Sequence, residues 1–386
     1  MDNTFTMSQR FRMIAGVLVL IGIAALVVGF LTDPQQAWAN ILLNNFYFLS
    51  LSIGAGFFMA LQYITQSGWS AMFRRVPEAM GYYIPVAAIM MLLLFFGMHS
   101  LYEWTHPEMA ADPLIMHKSP YLNMPFFFVR MILFFGLWIL MNWLLRKASL
   151  KEDLEGGITW FAKMEQYSKI YIFILAFSFS IANIDWIMSI DVHWFSNLFA
   201  LKGFVNAFYH GTAALVLIVI LLHEKGFYKE LNDSHLLDFS RYLFMLSIVW
   251  GYFWFSQFML IWYGNIPEET IYYARQWRGG FLYIFYINLI LNWLIPFSVL
   301  LSRTMDRNRM VVKIICIILL IGQWVDMYTQ IFPGTAGPKL GFVEIGSFLG
   351  FTGLFALVVG YGLSKAKLIP ANHPYLEESL HHKVEN

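Results

Sequence analysis

Charge is scarce in this sequence. Of 386 residues only 13% are Asp, Glu, Lys or Arg, about half the share of an average soluble domain, so too few charged groups exist to coat a globule. Cysteine is scarcer still. Cys316 is the single one, which excludes an intrachain disulfide and an iron–sulfur cluster ligated by cysteines of this chain alone. The net charge of +1 provides no electrostatic pull toward nucleic acid. Signatures of soluble enzymes are missing as well. No Walker or G-x-G-x-x-G loop occurs, and His223-Glu224 lacks the second histidine of a zinc-binding helix. No catalytic residue and no metal site is assigned.

What fills the chain instead is apolar surface. Hydrophobic residues make up 59%, with 37 Phe, 20 Tyr and 14 Trp, a composition suited to lipid contact, helix packing and interfacial anchoring. Ten apolar stretches approach the ~20 residues that cross a hydrocarbon core of ~30 Å. They run approximately Phe11–Leu31, Ile41–Thr65, Tyr82–Leu101, Phe126–Leu145, Ile170–Ile190, Gly203–His223, Ser240–Tyr263, Phe281–Leu301, Val311–Ile331 and Phe342–Leu363. The first has too long an apolar core for a signal-peptide h-region and is read as a retained helix. Of 25 Lys and Arg, 19 lie at the N-terminus, the even-numbered loops and the C-terminus. Five lie in odd-numbered loops, and Arg130 sits within helix four. The positive-inside rule then puts both termini in the cytoplasm.

Two loops of about 24 residues are expected at the usual spanning lengths. Tyr102–Pro125 lies outside and Arg146–Lys169 inside, and the polar tail after Ser364 is read as extended over the surface or bound to a neighbour.

Ionisable residues inside spans are costly and mark function by default. His99 falls at the outer end of helix three, and Arg130 about one turn below the outer end of helix four. Asp185 and Asp326 come out at similar outer-third depths on helices five and nine, His210 lies on helix six, and Glu344 opens helix ten. The inner third offers mainly Gln62, Asn142 and the boundary residue His223. One reading pairs Arg130 with Asp185 or Asp326 as a structural lock, with the histidines bonded to backbone. The other reads the group as a proton relay, since helix packing does not need so many charges at one depth. A bis-histidine haem is disfavoured, because His99 and His210 are poorly matched. A faint echo, Asn45-Phe46-Tyr47 against Asn206-Ala207-Phe208-Tyr209, is compatible with duplicated halves.

Three segments carry a resemblance. They are Asp185-Trp186-Ile187-Met188-Ser189-Ile190-Asp191-Val192-His193-Trp194, then Phe255-Ser256-Gln257 through Trp262-Tyr263-Gly264-Asn265-Ile266-Pro267-Glu268-Glu269, and Gly322-Gln323-Trp324-Val325-Asp326. Together they resemble the ActF family of membrane subunits in bacterial alternative complex III, a quinol:cytochrome c oxidoreductase, with the NrfD/PsrC-like subunits as wider relatives.

The resemblance implies two four-helix bundles, helices two to five and six to nine, flanked by helices one and ten. The corresponding divisions are residues 1–40, 41–190, 191–331 and 332–386. It also implies a bacterial inner-membrane location and no redox centre in this chain. Haem c and iron–sulfur clusters belong to partner subunits, an ActC-like sister carries the quinol site, and menaquinol or another quinol is the substrate of the complex. A terminal oxidase and lipids are further expected associates, and a part in proton translocation is expected of this subunit. Asp191 and His193 fall in the resembling segments. Independently, Glu268, Glu269, Arg275 and Arg278 alternate in sign between Gly264 and Gly280, with Trp277 as an anchor, which suggests an outer dock for a partner. A secondary transporter and a pure scaffold remain the alternative readings.

Overall fold

A computed structural model of the chain describes residues 4–278 and 280–384, so Gly279, inside the expected docking loop, lies outside the described residues. Ten helices are long and apolar enough to cross a membrane. They are α1 (Gln9–Thr32), α2 (Pro34–Ile64), α3 (Ala71–Leu101), α4 (Met124–Glu155), α5 (Ile158–Ile190), α6 (Asn197–Glu224), α7 (Asp233–Gly264), α8 (Phe281–Leu300), α9 (Arg309–Gly334) and α10 (Phe342–Leu363). An even number of spans puts both chain ends on one side, and the isolated bridge between Thr4 and Lys367 joins them there. That side is called the termini face and the other the opposite face.

A helix that is apolar all round must be surrounded, by lipid or by protein. α2 takes the second course and lies buried along almost its whole length. It packs on α3 and α5, and α4 closes that bundle against α5. α6 is the second axial helix, packed on α7 and α9, with α8 between them. The two axial helices cross at Gly54 and Gly211. A Cβ at Gly54 would lie 1.7 Å from the Ala207 carbonyl oxygen, so only a bare backbone permits this approach. α1 and α10 pair beside the bundles by the same device, where a Cβ on Gly22 would meet the Cα of Gly350 at 2.4 Å. The remaining faces carry exposed apolar side chains such as Val17, Leu20, Phe96, Ile132 and Phe173, which need a lipid solvent. The protein is an all-α, multi-pass membrane protein of two four-helix bundles flanked by α1 and α10.

The expected loop Arg146–Lys169 is instead helix. α4 runs on to Glu155, Gly156 and Gly157 make the joint at φ +67° and +78°, and α5 resumes at Ile158. Hydropathy marks where lipid stops, and these two helices continue past it as charged rods. The expected loop Tyr102–Pro125 holds short helical turns, including Pro113–Lys118 capped by Asp112.

α8 departs from regularity where α7 and α9 flank it. Pro296 has no N–H to give the carbonyl of Asn292, and the helix widens to a π turn over Ile290–Leu294. The Tyr209 hydroxyl donates to that carbonyl at 3.1 Å.

The tail lies over the surface of its own chain. Ala371 N–H donates to Asp153, Ser379 Oγ donates to the Trp69 carbonyl, and Asn232 donates to the His382 carbonyl. It straps the termini face from one bundle to the other.

Candidate functional site

Each bundle buries one carboxylate toward the opposite face, in its fourth helix. In the first bundle Asp185 Oδ2 accepts from Arg130 Nε at 2.6 Å and Oδ1 from the Tyr121 hydroxyl at 2.8 Å. Arg130 also donates to the Tyr121 carbonyl at 3.1 Å, and its guanidinium lies 3.9 Å over that tyrosine ring. Both residues are buried. The charges cancel within one closed unit, so the pairing expected as a structural lock is present here and it is Asp185 that Arg130 chooses.

The second bundle holds a larger array. Asp326 Oδ1 accepts from Lys202 Nζ at 3.0 Å and from Asn288 at 2.7 Å, while Oδ2 accepts from Asn206 and Gln330, each at 2.7 Å. Four donors saturate the roughly four lone-pair sites of a carboxylate. From Asn288 the hydrogen bonds continue inward. Asn292 donates to Asn288 Oδ1 at 2.6 Å, and Gln323 donates to Asn292 Oδ1 at 2.8 Å. The π turn of α8 presents Asn292 in this file, in keeping with the frequent use of such turns at functional sites.

The file ends at His210. Its Nδ1 donates to the Asn206 carbonyl, its ring stacks on Tyr47 at 5.2 Å, and the Gln323 side chain lies beside it. With Nδ1 carrying the proton, Nε2 of the neutral ring is an acceptor. Neither Nε2 nor Gln323 Oε1 has a hydrogen-bond donor. Two acceptors meet there, and a proton on Nε2 would supply the donor that both lack.

Toward the opposite face the array reaches a cleft of about 20 Å³, lined by Gln330, Asp191, Arg275, Trp194 and Tyr272 among others. That is room for about one water molecule. Asp191 and Arg275 pair at 2.6 Å, and the Gln330 amide leads from the cleft to Asp326. A route of hydrogen-bonding groups thus runs from the surface through Asp326 to the middle of the second bundle.

The other expected site residues separate. Asp185 and Asp326 share no hydrogen bond or ion pair among the described residues, so the single compartment expected from their common depth is two clusters in two bundles. His99 is exposed, bonded to Thr105 at 3.1 Å, and joins neither. His193 lies at the surface on Asp112 at 2.9 Å. Its hydrogen bond, with that of the Leu114 N–H, holds the Asp112 carboxyl below the usual range. The expected docking loop is a helix, Pro267–Gln276, with Glu268 and Glu269 in its first turn. Arg275 is committed to Asp191, and Trp277 packs 5.7 Å from Phe258 while staying 43% exposed. Glu268, Glu269 and Arg278 have no ion-pair partner among the described residues.

Sequence reasoning missed Lys202 by counting it as a loop charge. It also missed Asn206, Asn288, Asn292, Gln323 and Gln330 as ligands of Asp326. Their spacing was the available signal: Lys202, Asn206 and His210 recur every four residues on α6, as do Asn288 and Asn292 on α8. A further cluster was not foreseen. At the termini face Arg74, Arg75 and Arg146 meet Glu78, Glu152 and Asp153, all but Asp153 fully buried. Ser149 donates to Glu78 at 2.5 Å and Arg75 to Glu78 at 2.7 Å. Three positive and three negative charges balance, which marks a structural core rather than a poised acid. No protein-family model matches this chain, and no curated protein sequence matches it either.

Proposed function

We propose that this chain is a proton-conducting membrane subunit of a respiratory quinol:cytochrome c oxidoreductase of the alternative complex III kind, with redox centres held by its partners. The observation that carries the reading is the hydrogen-bonded file from the opposite-face cleft through Gln330, Asp326, Asn288, Asn292 and Gln323 to His210. Quinol oxidation releases two protons with two electrons; in this reading the carboxamides of the file orient water between Asp326 and His210, the two groups that take a proton up and pass it on. Asp326 exchanges Lys202 for a proton, and His210 takes one at Nε2. Arg130 and Asp185 serve the first bundle as a neutral lock. The Lys and Arg distribution supports a cytoplasmic termini face in a bacterial inner membrane. The free carboxylates of Glu268 and Glu269, with Arg278, then lie on the periplasmic side, available to a haem- or cluster-bearing subunit.

The test uses the assembled complex in proteoliposomes. His210→Phe keeps the ring stacked on Tyr47 and removes the acceptor. The charge-free pair Lys202→Met with Asp326→Asn removes the carboxylate of the file without stranding its partner. Both are expected to retain the partner subunits yet lower the proton yield per quinol severalfold. Unaltered turnover and proton yield in both variants would sink the reading. The π turn of α8 beside a buried charge favours one other reading, a cation-coupled transporter built on a distorted helix. Purification without any haem- or cluster-bearing companion would select it.

A further inference from the structure

Between the α1–α10 pair and the wall made by α2, α6 and α9 lies an apolar cavity of about 300 Å³. We propose that it takes up one acyl chain of a phospholipid with an anionic headgroup, drawn from the leaflet on the termini side, the second chain remaining in the bilayer. The site is independent of the proton reading.

Its height identifies the ligand class. On α10 the lining runs from Phe348 to Leu363, about 22 Å at ~1.5 Å per residue. One leaflet contributes ~15 Å of hydrocarbon with a few ångströms of headgroup region above it. The cavity therefore reaches from mid-membrane, where Tyr47 and Leu320 close it, to the headgroup level, and no farther.

Its polar groups identify the head. Three lining side chains are polar: Tyr47, Thr352 and Lys225. The Tyr47 hydroxyl donates to the Leu320 carbonyl at 2.8 Å, and Thr352 donates to the Phe348 carbonyl at 2.8 Å. Neither hydroxyl has its proton left for a ligand, so a ring with two carbonyl oxygens to satisfy finds no donor in the depth of the cavity. Lys225 stands at the mouth, where α6 ends. It is exposed, lies 5.4 Å over the Phe11 ring, and has no carboxylate partner among the described residues. Glu224 beside it is bound to Lys313 at 2.7 Å. A free cation at headgroup height above an apolar shaft is complementary to a phosphate carrying acyl chains.

The full chain, purified with its partners in mild detergent, is examined by native mass spectrometry and then exchanged against micelles containing equal phosphatidylglycerol and phosphatidylcholine. The wild type is expected to retain one phospholipid and to prefer phosphatidylglycerol about fivefold, the worth of one lysine near a surface. Lys225→Gln, a surface change, should keep a lipid but lose the preference. Ala356→Trp, which fills the shaft, should lose the lipid. Retention of a quinone in place of a phospholipid would overturn the proposal, as would no retained lipid in the wild type. So would a preference unchanged by Lys225→Gln.

Discussion

Asp326→Asn is the sharpest perturbation of the second bundle. The carboxylate accepts four hydrogen bonds, one from the buried ammonium of Lys202. An asparagine offers one acceptor oxygen and turns two N–H donors toward groups that are themselves donors. Lys202 keeps its charge, 6% exposed and without another carboxylate among the described residues. Stranding one partner of a buried pair costs about 3–5 kcal/mol. Lys202→Met alone strands the carboxylate instead, which keeps three amide donors, so its cost falls at the lower end of that range. Removing both charges together leaves nothing unpaired. The double variant is expected to be more stable than Asp326→Asn alone, with a coupling energy of about 2–3 kcal/mol. Reversible unfolding in mixed detergent micelles, followed by tryptophan fluorescence, measures all four corners of this cycle. Additive costs within about 0.5 kcal/mol would refute the claim that the pair is one electrostatic unit.

Glu78→Gln should destabilise the termini-face network by about 3–5 kcal/mol in the same assay, because it leaves Arg75 and Arg146 short of charge. Lys169→Ala, which breaks an exposed pair with Glu165, should change stability by less than about 1 kcal/mol. Gly54→Ala should cost about 1–3 kcal/mol or more, since its methyl overlaps the Ala207 carbonyl. A wild-type melting curve would show the two axial helices able to part. On the proposed docking role, Glu268→Lys with Glu269→Lys should leave the melting curve of the isolated chain unchanged and release subunits that co-purify with the wild type; retained partners would end that role.

The number, position and common orientation of the spans were legible because lipid imposes one demand on every one of them, about 20 apolar residues. What hydropathy could not report was helix beyond lipid. The stretch Arg146–Lys169 looks like a loop on that scale, yet it continues α4 and α5 around a two-glycine joint. Depth arithmetic set Asp185 and Asp326 level with each other on paper. It carried no azimuth, so two acids that face into different bundles were merged into one compartment. Charge counting had the opposite defect. It treated Lys202, Arg74, Arg75 and Arg146 as topological markers in water, while each is buried against a carboxylate. A positive charge near a membrane boundary orients the chain and can still turn inward once folded, because the orienting step precedes packing. The polar four-residue spacing on α6 and α8 held the missing information.

The strap across the termini face makes a last, pH-dependent prediction. His373 is buried, with three aromatic rings, Tyr63, Phe161 and Tyr375, enclosing it at 5.5–6.1 Å. Its Nδ1 accepts from the Tyr375 N–H at 3.1 Å, so the docked ring is neutral. Burial is the chief cause that pushes its pKa down to about 3, with Arg74 and Arg75 adding to it and Glu78 opposing. A released tail regains the ordinary value near 6.5. Docking strength is therefore full above about pH 6.5 and falls as the solution is acidified toward pH 3, because the released state binds the proton that the docked state refuses. At pH 5 the loss is about 2 kcal/mol, or roughly thirtyfold in the docking equilibrium. The end of the tail has its own hold, where His382 pairs with Asp238 at 2.6 Å and His235 meets the Ser379 carbonyl at 2.9 Å. Spin labels at Glu377 and Leu154, both highly exposed, would report it by electron–electron distance, since the native Cys316 is buried. A broadened distance at pH 5 is expected for the wild type and a pH-independent one for His373→Phe. A wild-type distance unchanged between pH 7.5 and 5, or a phenylalanine variant that titrates like the wild type, would show that His373 does not control the strap.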